Sequence, residues 1–111
     1  MKLLYIAGPL RSSTREKVEQ NIAKAKKVGI EVWERGHVAH TPHLNTYWMD
    51  DECTLTAEDY IRGDLLIVER CDGVVMLPGW SASEGAIEEY KHAIKHRIPV
   101  WFYPNLPEEE P

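Results

Sequence analysis

Strand-like and helix-like patterns alternate along the chain, and this alternation constrains the fold more than any other feature. Three short apolar runs have the length of buried strands: residues 2–7, 73–77 and 99–103. Residues 37–43 are predicted as a further strand, although their apolar pattern is poor. Parallel strands need a helix-sized connection between them, so strict alternation indicates a parallel sheet with helices on both faces. The pattern predicts a three-layer α/β/α fold with a mainly parallel sheet of four to five strands, Rossmann-like or flavodoxin-like.

Each predicted helix begins at a residue that can cap it. Ser13 or Thr14 precedes a stretch with apolar residues at 3-4 spacing. Thr56 and Asp59 have the spacing of a capping box, which predicts a helix over residues 57–70. Ser83 precedes a third helix that runs to about residue 96.

Length and charge narrow the classes of function. The 111 residues suffice for one domain, predicted over residues 1–105, followed by an acidic tail at 106–111 that is expected to be solvated. The net charge of −5 argues against a general nucleic-acid or anionic-membrane binder. No apolar run has the length of a membrane span, so no membrane partner is expected. Cys53 and Cys71 have no metal or redox spacing, which favours a reducing, cytoplasmic location.

Ligands of parallel sheets bind beyond the carboxyl ends of the strands, which selects residues 8–13, 45–58 and 78–85. The first of these segments makes Gly8 and Pro9 candidate substrate-binding residues. In the last, a glycine-containing loop leads to a helix start, whose free N–H groups favour an anion. Gly85 lies in the first turn, where it either admits a ligand to the backbone or packs against the sheet.

Helix geometry separates the glutamates of this third helix. Five apolar residues define the predicted buried face: Ala86, Ile87, Tyr90, Ala93 and Ile94. Glu84 and Glu88 point away from this face, whereas Glu89 lies at its boundary, on the same stripe as Gly85. Glu89 is therefore either a boundary charge or a carboxylate that meets a ligand at the helix start. A carboxylate in that place suits N-glycosidic cleavage, because it stabilises or captures an electron-poor sugar carbon.

Four segments together resemble the nucleoside 2-deoxyribosyltransferase family. They are Tyr5-Ile6-Ala7-Gly8-Pro9-Leu10-Arg11, Gly63-Asp64-Leu65-Leu66, Cys71-Asp72-Gly73-Val74-Val75 and Ser83-x-Gly85-x-x-x-Glu89-x-x-x-Ala93. The resemblance extends over about residues 2–103. It is nearest to a small branch of bacterial and phage proteins, and the 2′-deoxynucleoside 5′-phosphate N-hydrolases are also close.

The resemblance implies roles for particular residues. The family's nucleophilic glutamate falls on Glu89, and its second catalytic carboxylate falls on Asp64. Asp72, eight residues later, has a structural alternative as the residue that introduces a strand. Tyr5 would lie near the nucleophile, or else serve only as a core residue of its strand.

The position six residues before the nucleophile distinguishes branches of the family. Transferases that act on free nucleosides tend to carry an acid there, whereas the monophosphate hydrolases carry serine, as Ser83 does here. Because a hydroxyl donates to phosphate, Ser83 favours a nucleoside 5′-monophosphate. Arg11 matches an arginine of the hydrolase motif and is either a phosphate ligand or a solvated charge. In the transferases, a neighbouring subunit contributes a polar C-terminal residue to the site, so the resemblance implies a homo-oligomer. Asn105 is the candidate for that residue here, although it matches the family pattern only weakly.

Other candidate residues concern the base. His43 or His40 is expected to line its pocket, and Trp80 either stacks on the base or covers the sheet edge. The aromatic and acidic loop at residues 47–51 either closes over the base or forms a dimer contact, and it contains two alternative acids, Asp50 and Asp51.

No metal and no organic cofactor is expected. The spacing of His37, His40 and His43 suits neither a strand site nor a helix site, and no third ligand accompanies His92 and His96 in the sequence. The resulting hypothesis is an N-glycosidase or transferase that acts on a small-molecule (deoxy)nucleoside or nucleotide. The alternative is a nucleotide-binding sensor or accessory module without turnover.

Overall fold

The computed structural model describes the backbone of residues 1–111 and every side chain except those of Trp48, Asp50 and Asp51. In this described chain, four strands form one sheet: β1 Leu3–Ala7, β2 Val38–His40, β3 Gly73–Met76 and β4 Val100–Phe102. The sheet order is β2-β1-β3-β4, and every pairing is parallel. This order is flavodoxin-like and confirms the predicted fold class.

The helices begin where the sequence predicts their caps. The four α-helices are α1 Arg15–Glu34, α2 Pro42–Asn45, α3 Ala57–Arg70 and α4 Glu84–Lys95. Thr14 caps α1, Thr56 and Asp59 form the capping box of α3, and Ser83 caps α4. Two short 3-10 helices, Tyr47–Glu52 and Trp80–Ala82, interrupt the connections. Within the described part of the chain, no helix is long and apolar enough to cross a membrane.

Two hydrophobic clusters lie on opposite faces of the sheet, because successive residues of a strand point to opposite sides. On one face, strand residues that include Leu4 and Ile6 pack against Ala25, Val28 and Val32 of α1. The other face is covered by α3 and α4, whose inward residues pack on the remaining strand positions: Tyr5, Ala7, Val74 and Met76. The order in which strands are added reverses after β2, so right-handed crossovers put α1 on one side of the sheet and α3 and α4 on the other.

The second predicted strand is too long. The predicted run of residues 37–43 contains only three strand residues, Val38–His40, and Pro42 then opens α2 with His43 in the helix. Proline has no N–H for a strand ladder, and its fixed φ suits the first turn of a helix, so it ends one element and begins the next.

The acidic tail is held against the domain rather than frayed, although Glu108, Glu109 and Pro111 are exposed as expected. Pro107 is buried, and the side chain of Arg35 donates to its carbonyl. The N–H of Glu110 donates to the carbonyl of Arg35 over 2.9 Å, and a ring nitrogen of His37 lies 2.7 Å from the carbonyl of Glu108. Backbone hydrogen bonds therefore hold the tail against the turn that follows α1, which charge patterning does not predict.

Two glycines make a matched test of packing at the carboxyl edge of the sheet. A Cβ on Gly8 would lie 2.8 Å from the Leu77 side chain, whereas a Cβ on Gly63 in α3 would meet nothing within 4 Å. We expect Gly8→Ala to lower the free energy of unfolding by about 1–3 kcal/mol through overpacking. Gly63→Ala should raise it by roughly 0.5–1 kcal/mol, because alanine is the better helix former. Urea unfolding measures both, and equal effects of the two variants would contradict this packing.

Candidate active site

The loops that follow β1 and β3 meet at the carboxyl edge of the sheet, between the two strands where the strand order reverses. Gly8 and Pro9 follow β1, and Pro78 and Gly79 follow β3, its parallel neighbour. Gly79 has a φ of +86°, which favours glycine, and a Cβ there would lie 3.4 Å from Pro9. The two loops thus lie against each other at the topological switch point, where parallel sheets bind their ligands.

Glu89 is buried beside this edge, with 7% of its surface exposed. The hydroxyl of Tyr5, which is fully buried on β1, donates a hydrogen bond to its carboxyl group. The expected boundary position of Glu89 is therefore wrong. The buried stripe of α4 runs through Ala86, Glu89 and Ala93, whereas Ile94, which the sequence assigns to the buried face, is 54% exposed. The stripe is rotated because α4 packs against α3 as well as against the sheet.

Asp64 lies on α3 and interacts electrostatically with both Glu89 and Tyr5. Its own burial raises the pKa of the Asp64 carboxyl to about 6. Burial also raises the pKa of Glu89 to about 8, helped by the Asp64 charge and opposed by the hydrogen bond from Tyr5. The same burial and the Glu89 charge raise the pKa of the Tyr5 phenol. Two carboxyl groups that change protonation near neutral pH are suited to acid-base chemistry.

The start of α4 offers hydrogen-bond donors near this pair. The Ser83 side chain accepts from the Ala86 N–H over 3.3 Å, which leaves its own proton to donate. A Cβ on Gly85 would lie 3.8 Å from Ile61, an ordinary contact distance, so packing does not require glycine there. The alternative that Gly85 is needed for packing against the sheet is thus not favoured. Arg11 lies exposed in the loop between β1 and α1, at the same edge.

The two candidate histidines have different surroundings. His43 is buried beneath the β1–α1 loop, with Nε2 3.2 Å and 3.0 Å from the carbonyls of Gly8 and Pro9. Burial lowers the pKa of His43, so its neutral ring donates to this loop. His40 is the β2 register partner of Tyr5, and the two ring centroids are 5.6 Å apart.

His40 has the stronger connection to the site, although the sequence favours neither histidine clearly. Its Nε2 is buried, and among the described residues it has no hydrogen-bond partner. Nδ1 of His43 is likewise buried without a partner among the described residues. The other ring nitrogen of His43 binds the carbonyl of Pro9 in the β1–α1 loop, whereas the ring of His40 lies beside that of Tyr5. The signal that would have found His40 is the pairing of β2 with β1, which places the two rings on one face of the sheet.

Trp80 lies in an aromatic cluster over the β4 edge of the sheet. Its ring centroid is 4.8 Å from that of Tyr90 and 5.9 Å from that of Phe102. This position favours the interpretation that Trp80 covers the sheet edge. Asn105 is exposed just after β4, and its backbone N–H donates to the carbonyl of Phe102.

Asp72 has the structural role that its position before a strand suggests. Its carboxylate accepts from the N–H of Leu3 over 2.8 Å, at the amino ends of β1 and β3. Asp72 is thus at the opposite edge of the sheet from Glu89. In the loop at 47–51, Trp48, Asp50 and Asp51 lie outside the described side chains.

A surface cavity of about 420 Å³ lies between α1, the end of β2 and α2. His40, Thr41 and Trp33 are among the residues that line it, and neither Glu89 nor Asp64 is among them.

Comparisons with known proteins agree with this architecture. Residues 2–102 match the family described as a domain of unknown function (DUF4406), and the chain belongs to that family. No curated protein matches the chain. Among solved structures, the chain is similar to a 2-deoxyribosyltransferase from the psychrotolerant bacterium Bacillus psychrosaccharolyticus, with a TM-score of 0.60 and 19% identity. The alignment covers 90% of this chain and 70% of that one, and it establishes a shared fold.

The raised pKa of Glu89 predicts a pH dependence of stability. Between its ordinary value of 4.5 and about 8, the folded state holds a proton that the unfolded chain releases. The free energy of unfolding should therefore fall as pH rises through this window, by at most about 1.4 kcal/mol per pH unit. The Asp64 contribution is confined to the range between 3.8 and about 6. We expect Glu89→Gln to lose the fall between roughly pH 6.5 and 8 in urea titrations.

Glu88→Gln is the matched control, because Glu88 is the exposed neighbour on α4. It should keep the wild-type profile. An unchanged profile in Glu89→Gln would show that this carboxyl is ionised in the folded protein.

Proposed function

We propose that this protein cleaves the N-glycosidic bond of a (deoxy)nucleoside and that its preferred substrate is the 5′-monophosphate. The observation that carries the proposal is the convergence of Tyr5, Asp64 and Glu89 beside the start of α4. The similarity in fold to a 2-deoxyribosyltransferase supports the class of reaction. The identity of the family leaves the activity open, so the reaction is argued from the residues.

In the proposed reaction, the Glu89 carboxylate attacks C1′ of the sugar from the face opposite the base. A bond forms between a carboxylate oxygen and C1′, the bond from C1′ to the base nitrogen breaks, and the base leaves with its electron pair. Asp64 supplies the proton that the departing base takes up. Water then releases the sugar from the glutamyl ester, or a second base accepts it.

Protonation limits this reaction. Glu89 must be ionised to attack, and burial raises its pKa to about 8, so the ionised form is the minor one at neutral pH. Asp64 must carry a proton to protonate the base, and its pKa of about 6 makes the protonated form the minor one as well. The reactive state therefore has the proton on Asp64 and the negative charge on Glu89. The hydrogen bond from Tyr5 stabilises the charged carboxylate and so opposes the rise in the pKa of Glu89. Tyr5 is accordingly a positioning residue, which orients the carboxyl and stabilises its charged form.

Phosphate recognition is assigned to the start of α4. The first N–H groups of a helix have no partners within it, and the helix dipole favours an anion there. Ser83 adds a hydroxyl donor, and Arg11 adds a guanidinium from the neighbouring loop. A free nucleoside would leave the N–H groups at the start of α4 and the Ser83 hydroxyl without an anion, which is why the monophosphate is preferred.

A nucleotide-binding module without turnover is the second candidate function. The observation that favours it is the burial of Glu89, whose pKa of about 8 leaves it mainly neutral at pH 7. Calorimetry and product analysis on one protein sample separate the candidates. Binding of a nucleotide without release of base would establish the module, and release of base would establish the enzyme.

Glu89→Gln should abolish turnover while it preserves the fold. We expect a loss of rate of about 10²-fold or more, because the amide neither attacks C1′ nor ionises. Chromatography of the free base released from common 5′-monophosphates and nucleosides measures the rate. Glu88→Gln, on the exposed face of the same helix, should retain wild-type activity. The enzyme proposal fails if the wild-type protein leaves all of these compounds intact.

Ser83→Asp tests the phosphate preference without loss of the helix cap. Aspartate is as good an N-cap as serine, so the stability should change little. Its negative charge repels a phosphate at the helix start, so the kcat/KM for a 5′-monophosphate should fall by at least about tenfold. Activity on the matching free nucleoside should be unchanged or higher. An equal fall for both substrates would contradict phosphate binding at this position.

A further inference from the structure

The seam between α3 and α4 contains a cluster of three metal-ligating side chains, Glu69, His92 and His96. His92 lies in the last turn of α4, and His96, four residues later, is the residue that caps the end of the helix on the same side. In the sequence they lack a third ligand, and α3 supplies one when it packs against α4. The cluster is separate from the proposed active site.

The distances within the cluster are close to those of a bound ion. Glu69 Oε1 lies 2.7 Å from His92 Nε2 and 3.6 Å from His96 Nε2. The three ligand atoms all lie within 4.8 Å of one another. A tetrahedral zinc ion with ligands at 2.0–2.2 Å needs ligand atoms roughly 3.3 Å apart, so small side-chain rotations would suffice.

The surroundings suit entry of a cation from solution. The side chains of Glu69, His92 and His96 are 36%, 17% and 38% exposed, so an ion reaches them without opening the fold. His92 Nε2 lies within hydrogen-bond distance of Glu69 Oε1, and an ion bound between the two atoms would replace this contact. Two imidazoles and one carboxylate form a donor set typical of zinc sites that keep a fourth position open.

We propose that Glu69, His92 and His96 bind one divalent transition-metal ion of the zinc type, with water in the fourth position. The ion would join α3 to α4. Glu69 lies five residues after Asp64, and His92 lies three residues after Glu89. The bound ion would therefore link the two helices that carry the proposed catalytic carboxylates. The proposal does not depend on the proposed reaction, which uses no metal.

Zinc titration of the full chain tests the site. All proteins carry Cys53→Ser, because the exposed Cys53 thiol is itself a zinc ligand. Calorimetry with zinc chloride should give one ion per chain, and saturating zinc should raise the melting temperature. Glu69→Gln and His96→Ala should each weaken zinc binding by at least about tenfold and remove the rise in melting temperature. Glu88→Gln, an exposed carboxylate on the same helix, should behave as the parent protein does.

Each result decides the proposal. The absence of zinc binding to the parent protein would overturn it and would identify the cluster as an ion pair between helices only. Undiminished binding in both Glu69→Gln and His96→Ala would also overturn it, because the ion would then occupy another place. Circular dichroism of each variant without zinc separates a lost ligand from a lost fold. Base-release assays on the same samples report on the proposed function independently.

Discussion

The hydrogen bond from Tyr5 to Glu89 is the interaction on which the arrangement of the site depends. A buried phenol and a buried carboxyl each need a partner, since leaving either unpaired costs about 1–3 kcal/mol. Here one residue lies on the central strand β1 and the other on α4, so the bond satisfies both groups and joins the sheet to the helix. Burial of this pair, with Asp64 nearby, is also what raises the pKa of Glu89 towards neutrality.

The topology explains why these groups meet. The sheet order places β1 beside β3, and the chain leaves these two strands for opposite faces. Both following loops therefore end at one edge of the sheet, with the start of α4 next to them. Because α3 packs beside α4 on the same face, Asp64 is brought towards Glu89 although the two residues are 25 positions apart.

Local signals predicted most of the secondary structure. Thr14, Thr56 and Ser83 cap their helices as their side chains suggest, because capping depends only on residues within one turn. One error was local: Pro42 ends β2 early, because proline begins the next helix. The other predictions failed where distant contacts decide. The tail is held by Arg35 and His37, and α4 buries the stripe that contains Glu89 instead of Ile94.

The sequence by itself determined the alternation of strands and helices, the parallel sheet and the candidate carboxyl Glu89. These follow from periodicity and caps, which are properties of neighbouring residues. Asp64 is a candidate because the segment Gly63-Asp64-Leu65-Leu66 resembles a motif of a known family. Only the tertiary structure decided that Glu89 is buried against Tyr5, that His40 lies beside the same ring, and that Glu69 reaches His92 and His96. Each of these contacts joins residues on different elements, and the packing of elements is set by the whole core rather than by any local pattern.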